Sequence, residues 1–287
     1  MDRRITDLYD QYVHGDMARR EFVRRAVLIA GSTSAAVALI SLLEPDYARG
    51  QQVDPSDERL LQTSVTYAGY TGDVRGTLVK PAGATGPLPG IVVIHENRGL
   101  NAHIEDVARR AALAGYVALA PDGLTHVGGA PEDQEEARNR FGEADRETIT
   151  RDVLAAVTYL AAREDTTGRI GTVGFCYGGG VSLRSAVEEP AVAAAVCFYG
   201  RALSDEQTAQ LNVPVMMHYA GHDERINAGI ADFRSSLDTH EISYTIHMYP
   251  GVGHGFHNDT SEARYDEKAA TLAWRRTIAF FDHYVKG

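Results

Sequence analysis

From Ile91 onward the chain alternates short continuous apolar runs with longer segments whose apolar residues fall at helical spacing. The runs are Ile91-Val92-Val93-Ile94, Tyr116 to Ala120, Ile170 to Phe175, Ala193 to Tyr199, Val213 to Tyr219 and Ile242 to Tyr249. Each has the length of a strand, and unbroken apolarity predicts strands covered on both faces. Helix patterns lie between them: His103 to Ala114, closed by Gly115; Glu143 to Arg163, with Val153, Ala156, Val157 and Leu160 on one face; Val181 to Val187; Ala228 to Thr239; and Asp266 to Tyr284. Strands alternating with helices predict an α/β domain, with a mostly parallel sheet and helices on both of its faces. Upstream, Thr63–Tyr67 and Val74–Val79 flank a Gly69–Gly72 turn and predict two antiparallel strands at the N-terminal edge. The polar stretch Leu124 to Arg140 is predicted to cross the top of the sheet. The whole pattern assigns residues 51–287 to one domain.

Residues 1–50 follow a different pattern. Arg19-Arg20-Glu21-Phe22-Val23-Arg24-Arg25 precedes an apolar run from Ala26 to Leu43, softened by Gly31, Ser32, Thr33, Ser34 and Ser41. Paired arginines before a mildly apolar stretch look like a twin-arginine export signal. The expected location is therefore periplasmic or otherwise exported, with the twin-arginine machinery as partner. The Arg pair stands far from Met1, and Ala48-Arg49-Gly50 is the nearest approach to a cleavage site. The competing reading is an amphipathic N-terminal helix packed on the body or on a partner chain, in a cytoplasmic protein.

Composition narrows the function. A net charge of −11 excludes a phosphate-binding surface for nucleic acid, which needs clustered cations. The two cysteines, Cys176 and Cys197, make no disulfide scaffold. Cys197 lies in an apolar strand and reads as a core thiol.

The chemistry gathers at strand ends, where the sites of such sheets lie. Gly174-Phe175-Cys176-Tyr177-Gly178 joins an apolar strand to a helix. A nucleophile on that sharp turn needs glycines on either side for close approach of strand and helix. Taken alone the motif also fits a buried Cys in a Gly-rich turn. Two later strand ends weigh for chemistry: Gly221-His222-Asp223 and Gly253-His254-Gly255. The order Cys176, Asp223, His254 is nucleophile, orienting acid, base. Asp223 also suits a helix cap, Glu224 competes as the acid, and His257 is a weaker base than His254. His95-Glu96 does not continue to a zinc motif, because Gly99 stands where the second His is required. No metal and no cofactor are expected.

These segments, together with Tyr249-Pro250-Gly251-Val252-Gly253-His254-Gly255-Phe256 and Val92-Val93-Ile94-His95-Glu96-Asn97-Arg98-Gly99, resemble the dienelactone hydrolases (carboxymethylenebutenolidases) of the α/β-hydrolase fold. The resemblance covers about residues 60–286. It implies an ester or enol-lactone hydrolase working through a thioester, with Glu96 contacting the thiol and taking its proton when substrate binds. It also implies an oxyanion hole from the backbone N–H groups of Tyr177 and Asn97. The arginine that such enzymes carry shortly after the catalytic His is missing from Gly255-Phe256-His257-Asn258. Arg98 or Arg201 is the candidate replacement, and Tyr199 a candidate pocket wall. Two rivals remain on the same residues: a general carboxylesterase with another ester substrate, and a non-catalytic binding or assembly protein. The sequence carries no signal of oligomeric state.

Overall fold

The structure, a computed structural model, describes residues 2–15, 17–46 and 50–287. Three helices come first: α1 (Arg3–His14), α2 (Arg19–Ala30) and α3 (Thr33–Leu43). The body then runs β1 (Leu60–Ala68), β2 (Asp73–Pro81), β3 (Leu88–Ile94), α4 (Ala102–Leu113), β4 (Val117–Pro121), α5 (Gln134–Glu143), α6 (Arg146–Ala161) and β5 (Thr166–Phe175). It continues with α7 (Tyr177–Glu188), β6 (Val192–Phe198), α8 (Asp205–Thr208), β7 (Val215–His222), α9 (Glu224–Asn227), α10 (Ile230–Thr239), β8 (Tyr244–Gly253) and α11 (Glu267–Phe281).

The eight strands form one sheet in the order β1-β2-β4-β3-β5-β6-β7-β8. β1 and β2 are antiparallel to each other, β2 is antiparallel to β4, and every other pair is parallel. This is an α/β-hydrolase architecture. Ile91 to Ile94 are buried along their whole length, as strands covered on both faces must be. On one face, α4 and α11 close a core containing Ile104, Val107, Phe280 and Phe281. On the other, α6, α7 and α10 close a core containing Val153, Val157, Leu183 and Leu237. The chain reverses direction across the sheet at β3, whose neighbours are β4 and β5. A crevice opens there at the carboxyl ends of the strands.

The boundaries differ from the sequence pattern in four places. The helix expected over 143–163 is α6, which begins three residues later than expected because Asp145 caps it, accepting the Thr148 N–H at 2.8 Å. Part of the expected polar crossing, 124–140, is helical, with Asp133 capping α5. The helix expected from Ala228 is preceded by the single turn of α9, which Asp223 caps. β8 runs on past Pro250 to Gly253; it is an edge strand, where a residue without an N–H is tolerated.

Helices α1 to α3 bury a core of their own, with Ile5, Leu8, Tyr9, Tyr12, Phe22 and Ile40 inside it. The apolar run Ala26–Leu43 is divided between α2 and α3, which meet at 114° beside Gly31. Among the described residues no single helix is long and apolar enough to cross a membrane. Of the tripeptide compared above with a cleavage site, Ala48 and Arg49 lie outside the described residues.

Candidate active site

Cys176 sits between β5 and α7 with φ 55° and ψ −114°, a conformation costly for a residue with a Cβ. The turn is enforced from both sides. Cys176 N–H donates to the Phe198 carbonyl at 3.0 Å, and its own carbonyl accepts the Gly179 N–H at 3.1 Å. A Cβ on Gly174 would overlap the Gly178 carbonyl, and one on Gly178 would stand 2.5 Å from the carbonyl oxygens of Ile94 and His95. Only glycines let the strand and helix approach so closely. The thiol therefore lies at the positive end of α7, and Tyr177 is the first helical residue, whose N–H has no intrahelical acceptor. The Tyr177 hydroxyl turns away to Thr150, at 2.7 Å.

Strand register brings the other residues to the same edge. Ile94 pairs with Gly174, so Glu96 and Asn97 leave β3 beside the turn that carries Cys176. Phe175 pairs with Phe198, which places Tyr199 next. His222 pairs with Gly253, which sets Asp223 and His254 side by side. The His254 Nδ1–H donates to Asp223 Oδ2 at 2.6 Å, and both side chains are buried. The other oxygen of Asp223 accepts the Ile226 N–H at 3.4 Å. Both roles considered for Asp223 are thus filled at once, one by each oxygen. Burial opposes a charged His254, but the Cys176 thiolate and the Asp223 carboxylate outweigh it, and the imidazole is pushed up to about 10.

The face of the thiol is filled by a residue that no motif marked. His14, the last residue of α1, places both ring nitrogens 3.8 Å from Cys176 Sγ. Its ring meets that of His254 edge-on at 4.7 Å. Its Nε2 lies 3.4 Å from Asp10 Oδ1, and burial holds it well below the ordinary imidazole range. The helix is fastened across the site by further contacts. Asn97 Nδ2 donates to the Val13 carbonyl at 3.2 Å, Arg98 to the Tyr9 hydroxyl at 3.3 Å, and Arg138 to the Tyr12 hydroxyl at 2.9 Å.

The remaining candidates divide. Glu96 is buried, but it accepts from Asn258 Nδ2 at 2.7 Å and from the Tyr199 hydroxyl at 3.5 Å, not from the thiol. The contact expected between Glu96 and Cys176 is absent here because the Asn258 amide holds the carboxylate and His14 covers the sulfur. Tyr199, buried with φ 39°, packs its ring 4.9 Å from that of His254. Arg98 faces Tyr9 and Asn97 Oδ1 rather than a cavity. Arg201 is exposed. His257 is a core residue stacked 4.9 Å from Phe175. Cys197 is free and buried, and burial pushes its thiol up to about 12.

A cavity of about 780 Å³ runs beneath α1, lined by Asp10, His14, Asp223, Arg225, His254 and Arg264. Arg264 donates from Nε to Ser261 at 3.0 Å and lies over the Tyr9 ring at 5.3 Å, while its buried Nη2 has no hydrogen-bond partner. Sequence reasoning passed over it because it stands ten residues after His254, beyond the segment where an arginine was sought.

Comparison with known proteins places this geometry. The profile of the YqhI-like family matches residues 1–31, and that of the dienelactone hydrolase family matches residues 74–285. An Escherichia coli K12 protein named "Putative hydrolase fragment YghX" is 51% identical over 112 residues, covering 38% of this chain and 96% of the relative. An E. coli K12 "Putative carboxymethylenebutenolidase" is 30% identical over 220 residues, covering 71% of this chain and 80% of the relative. The crystal structure titled as a "Putative Dienelactone Hydrolase" from Klebsiella pneumoniae superposes with a TM-score of 0.71 at 26% identity, covering 78% of this chain and 99% of that one. The strained turn after β5 and the buried histidine after β8 lie inside the region these proteins share. The chain belongs to the dienelactone hydrolase family and is a hydrolase of carboxylic ester or lactone bonds.

Proposed function

We propose that the protein hydrolyses an enol-lactone or related ester through a thioester on Cys176. The observation that carries this reading is the thiol itself, held at φ 55° on the N-terminus of α7 beside the buried His254–Asp223 pair. Sγ attacks the carbonyl carbon, and a C–S bond forms as the carbonyl π electrons move to oxygen. The N–H groups of Tyr177 and Asn97 receive that oxyanion. When the tetrahedral intermediate collapses the ester C–O bond breaks, and His254 gives its proton to the leaving oxygen. His254 then takes a proton from water, hydroxide adds to the thioester, and the thiolate leaves with the carboxylate product free. Asp223 keeps the imidazole oriented throughout.

Glu96 enters as the group that governs the charge of the thiol. What supports it is its buried position against Tyr199, whose ring packs on His254. Arg264 supplies the cation for a carboxylate-bearing substrate, supported by its place in the lining of the cavity beside His254. The test is hydrolysis of a dienelactone, followed by loss of its ultraviolet absorbance, with Cys176→Ala alongside. Turnover by the parent and none by the variant supports the reading. Turnover by Cys176→Ala overturns the thiol as nucleophile. A parent that ignores dienelactone but cleaves simple aryl esters is the general carboxylesterase.

Export by the twin-arginine route is also proposed. Arg19 and Arg20 are exposed in the first turn of α2, as a receptor-read signal requires. Replacing both with Lys and fractionating cells tests it; an identical cytoplasmic location for both versions ends the idea.

A further inference from the structure

We propose that His14, Cys176 and His254 form a three-donor site for a borderline-soft divalent cation, Zn2+ foremost, which locks α1 over the thiol and holds the enzyme inactive. One donor atom from each of the three residues lies within 4.8 Å of the others. Zinc takes thiolate sulfur at about 2.3 Å and imidazole nitrogen at about 2.0–2.1 Å, so tetrahedral ligand atoms stand roughly 3.6 Å apart. The sulfur is already 3.8 Å from His14, and closing on an ion needs only a small inward shift.

The surroundings are those of a metal site as well. A ligating histidine usually gives its other ring nitrogen to a carboxylate, which fixes the tautomer and the ring orientation. His254 here has that arrangement, and His14 has a carboxylate close by. His254 Nδ1 is held by Asp223 at 2.6 Å, which leaves Nε2 for the ion; that Nε2 is buried and has no hydrogen-bond partner. His14 Nε2 faces Asp10 at 3.4 Å, which leaves Nδ1. The thiolate and the two flanking carboxylates carry three negative charges, enough to offset a divalent ion. Both histidines line the cavity of about 780 Å³, so a water has room to complete a fourth position.

The site is inhibitory, unlike that of a catalytic metal cofactor. An ion bound to Sγ removes the lone pair that the acyl transfer needs, so metal binding and hydrolysis exclude each other. It also ties a helix from the N-terminal segment to two residues of the hydrolase body, and exposure to metal becomes a means of closing the site.

The test uses the full chain, reduced and freed of metal. Zn2+ affinity is measured by competition with a chromogenic chelator, and Co2+ is added separately to read the sulfur-to-cobalt charge-transfer band and the intense visible bands of a tetrahedral ion. One tight Zn2+ per chain, a charge-transfer band lost in Cys176→Ser, and affinity at least about tenfold weaker in His14→Ala are expected. His14→Gln is measured in parallel, with circular dichroism confirming that each variant is folded. No binding at micromolar Zn2+, or equal affinity in folded His14 variants, overturns the proposal. These readouts need no substrate, so the inference fails or stands separately from the hydrolytic reading.

Discussion

Cys176 Sγ and His14 stand in van der Waals contact across 162 residues of sequence, with both imidazole nitrogens 3.8 Å from the sulfur. In this arrangement a substrate carbonyl reaches the thiol by displacing the ring. Replacing His14 with Ala removes a contact of about 1 kcal/mol. It is expected to raise kcat/KM for a small aryl ester by about fivefold. Steady-state hydrolysis with parent and variant checks this. A fall in kcat with KM unchanged would instead make His14 a group the reaction needs.

The thioester reading predicts that Cys176→Ala loses about a thousandfold or more in hydrolysis while keeping its fold. Asp223→Asn is expected to lose a comparable factor by presenting the wrong imidazole tautomer. Mass spectrometry of the parent, quenched during turnover, should show an acyl adduct on the peptide carrying Cys176. Its absence, with hydrolysis intact, would point to direct attack by water.

His254 provides a pH test. Its imidazole holds a proton up to about 10 in the folded chain, well above the ordinary 6.5. A raised value of this kind stabilises the fold fully below about 6.5, and the contribution is lost as pH rises through 10. The high-pH limb of kcat/KM is therefore expected near 10, and removing either the thiolate or Asp223 should lower it. Titration of the His254 ring by NMR in parent and Cys176→Ala checks the direction; an unmoved titration would show that the pair is not coupled.

Acid sensitivity has a separate origin. Asp259 accepts from Gln52 at 2.9 Å, His103 at 2.9 Å and Arg110 at 2.5 Å. Burial opposes the ionised carboxylate, but His103 and Arg110 hold its pKa far below the ordinary 3.8. A depressed carboxylate stabilises above its unfolded value and loses that contribution as pH falls toward its folded one. Asp259→Asn should cost about 3 kcal/mol at neutral pH and flatten the decline in urea midpoint below about pH 5.

Gly174→Ala places a methyl group on the Gly178 carbonyl, and the strand–helix turn has to open to admit it. The expected result is a folded but destabilised protein whose hydrolysis falls about a hundredfold or more, since a small misplacement of the nucleophile is costly. A variant with parental activity and parental thermal midpoint would mean that the turn relaxes at no cost.

The layers of the fold and the strand-end placement of Cys176, Asp223 and His254 were legible in the sequence because both are local. Apolar runs announce buried parallel strands, Gly174 and Gly178 announce a close turn, and a residue just past a strand must arrive at one sheet edge. The exact start of α6 after Asp145 and the continuation of β8 through Pro250 were not legible. A cap near the start of a helical pattern, and a proline on an edge strand, take their meaning from their neighbours. Only the tertiary structure decided that Glu96 turns to Asn258, that Arg264 rather than Arg98 faces the cavity, and that His14 rests on Cys176. Apolar spacing shows that α1 has a face to bury, but not where that face docks. Its position across the cleft is set by Tyr9, Tyr12 and Val13 meeting Arg98, Arg138 and Asn97, partners some 80 to 130 residues away along the chain.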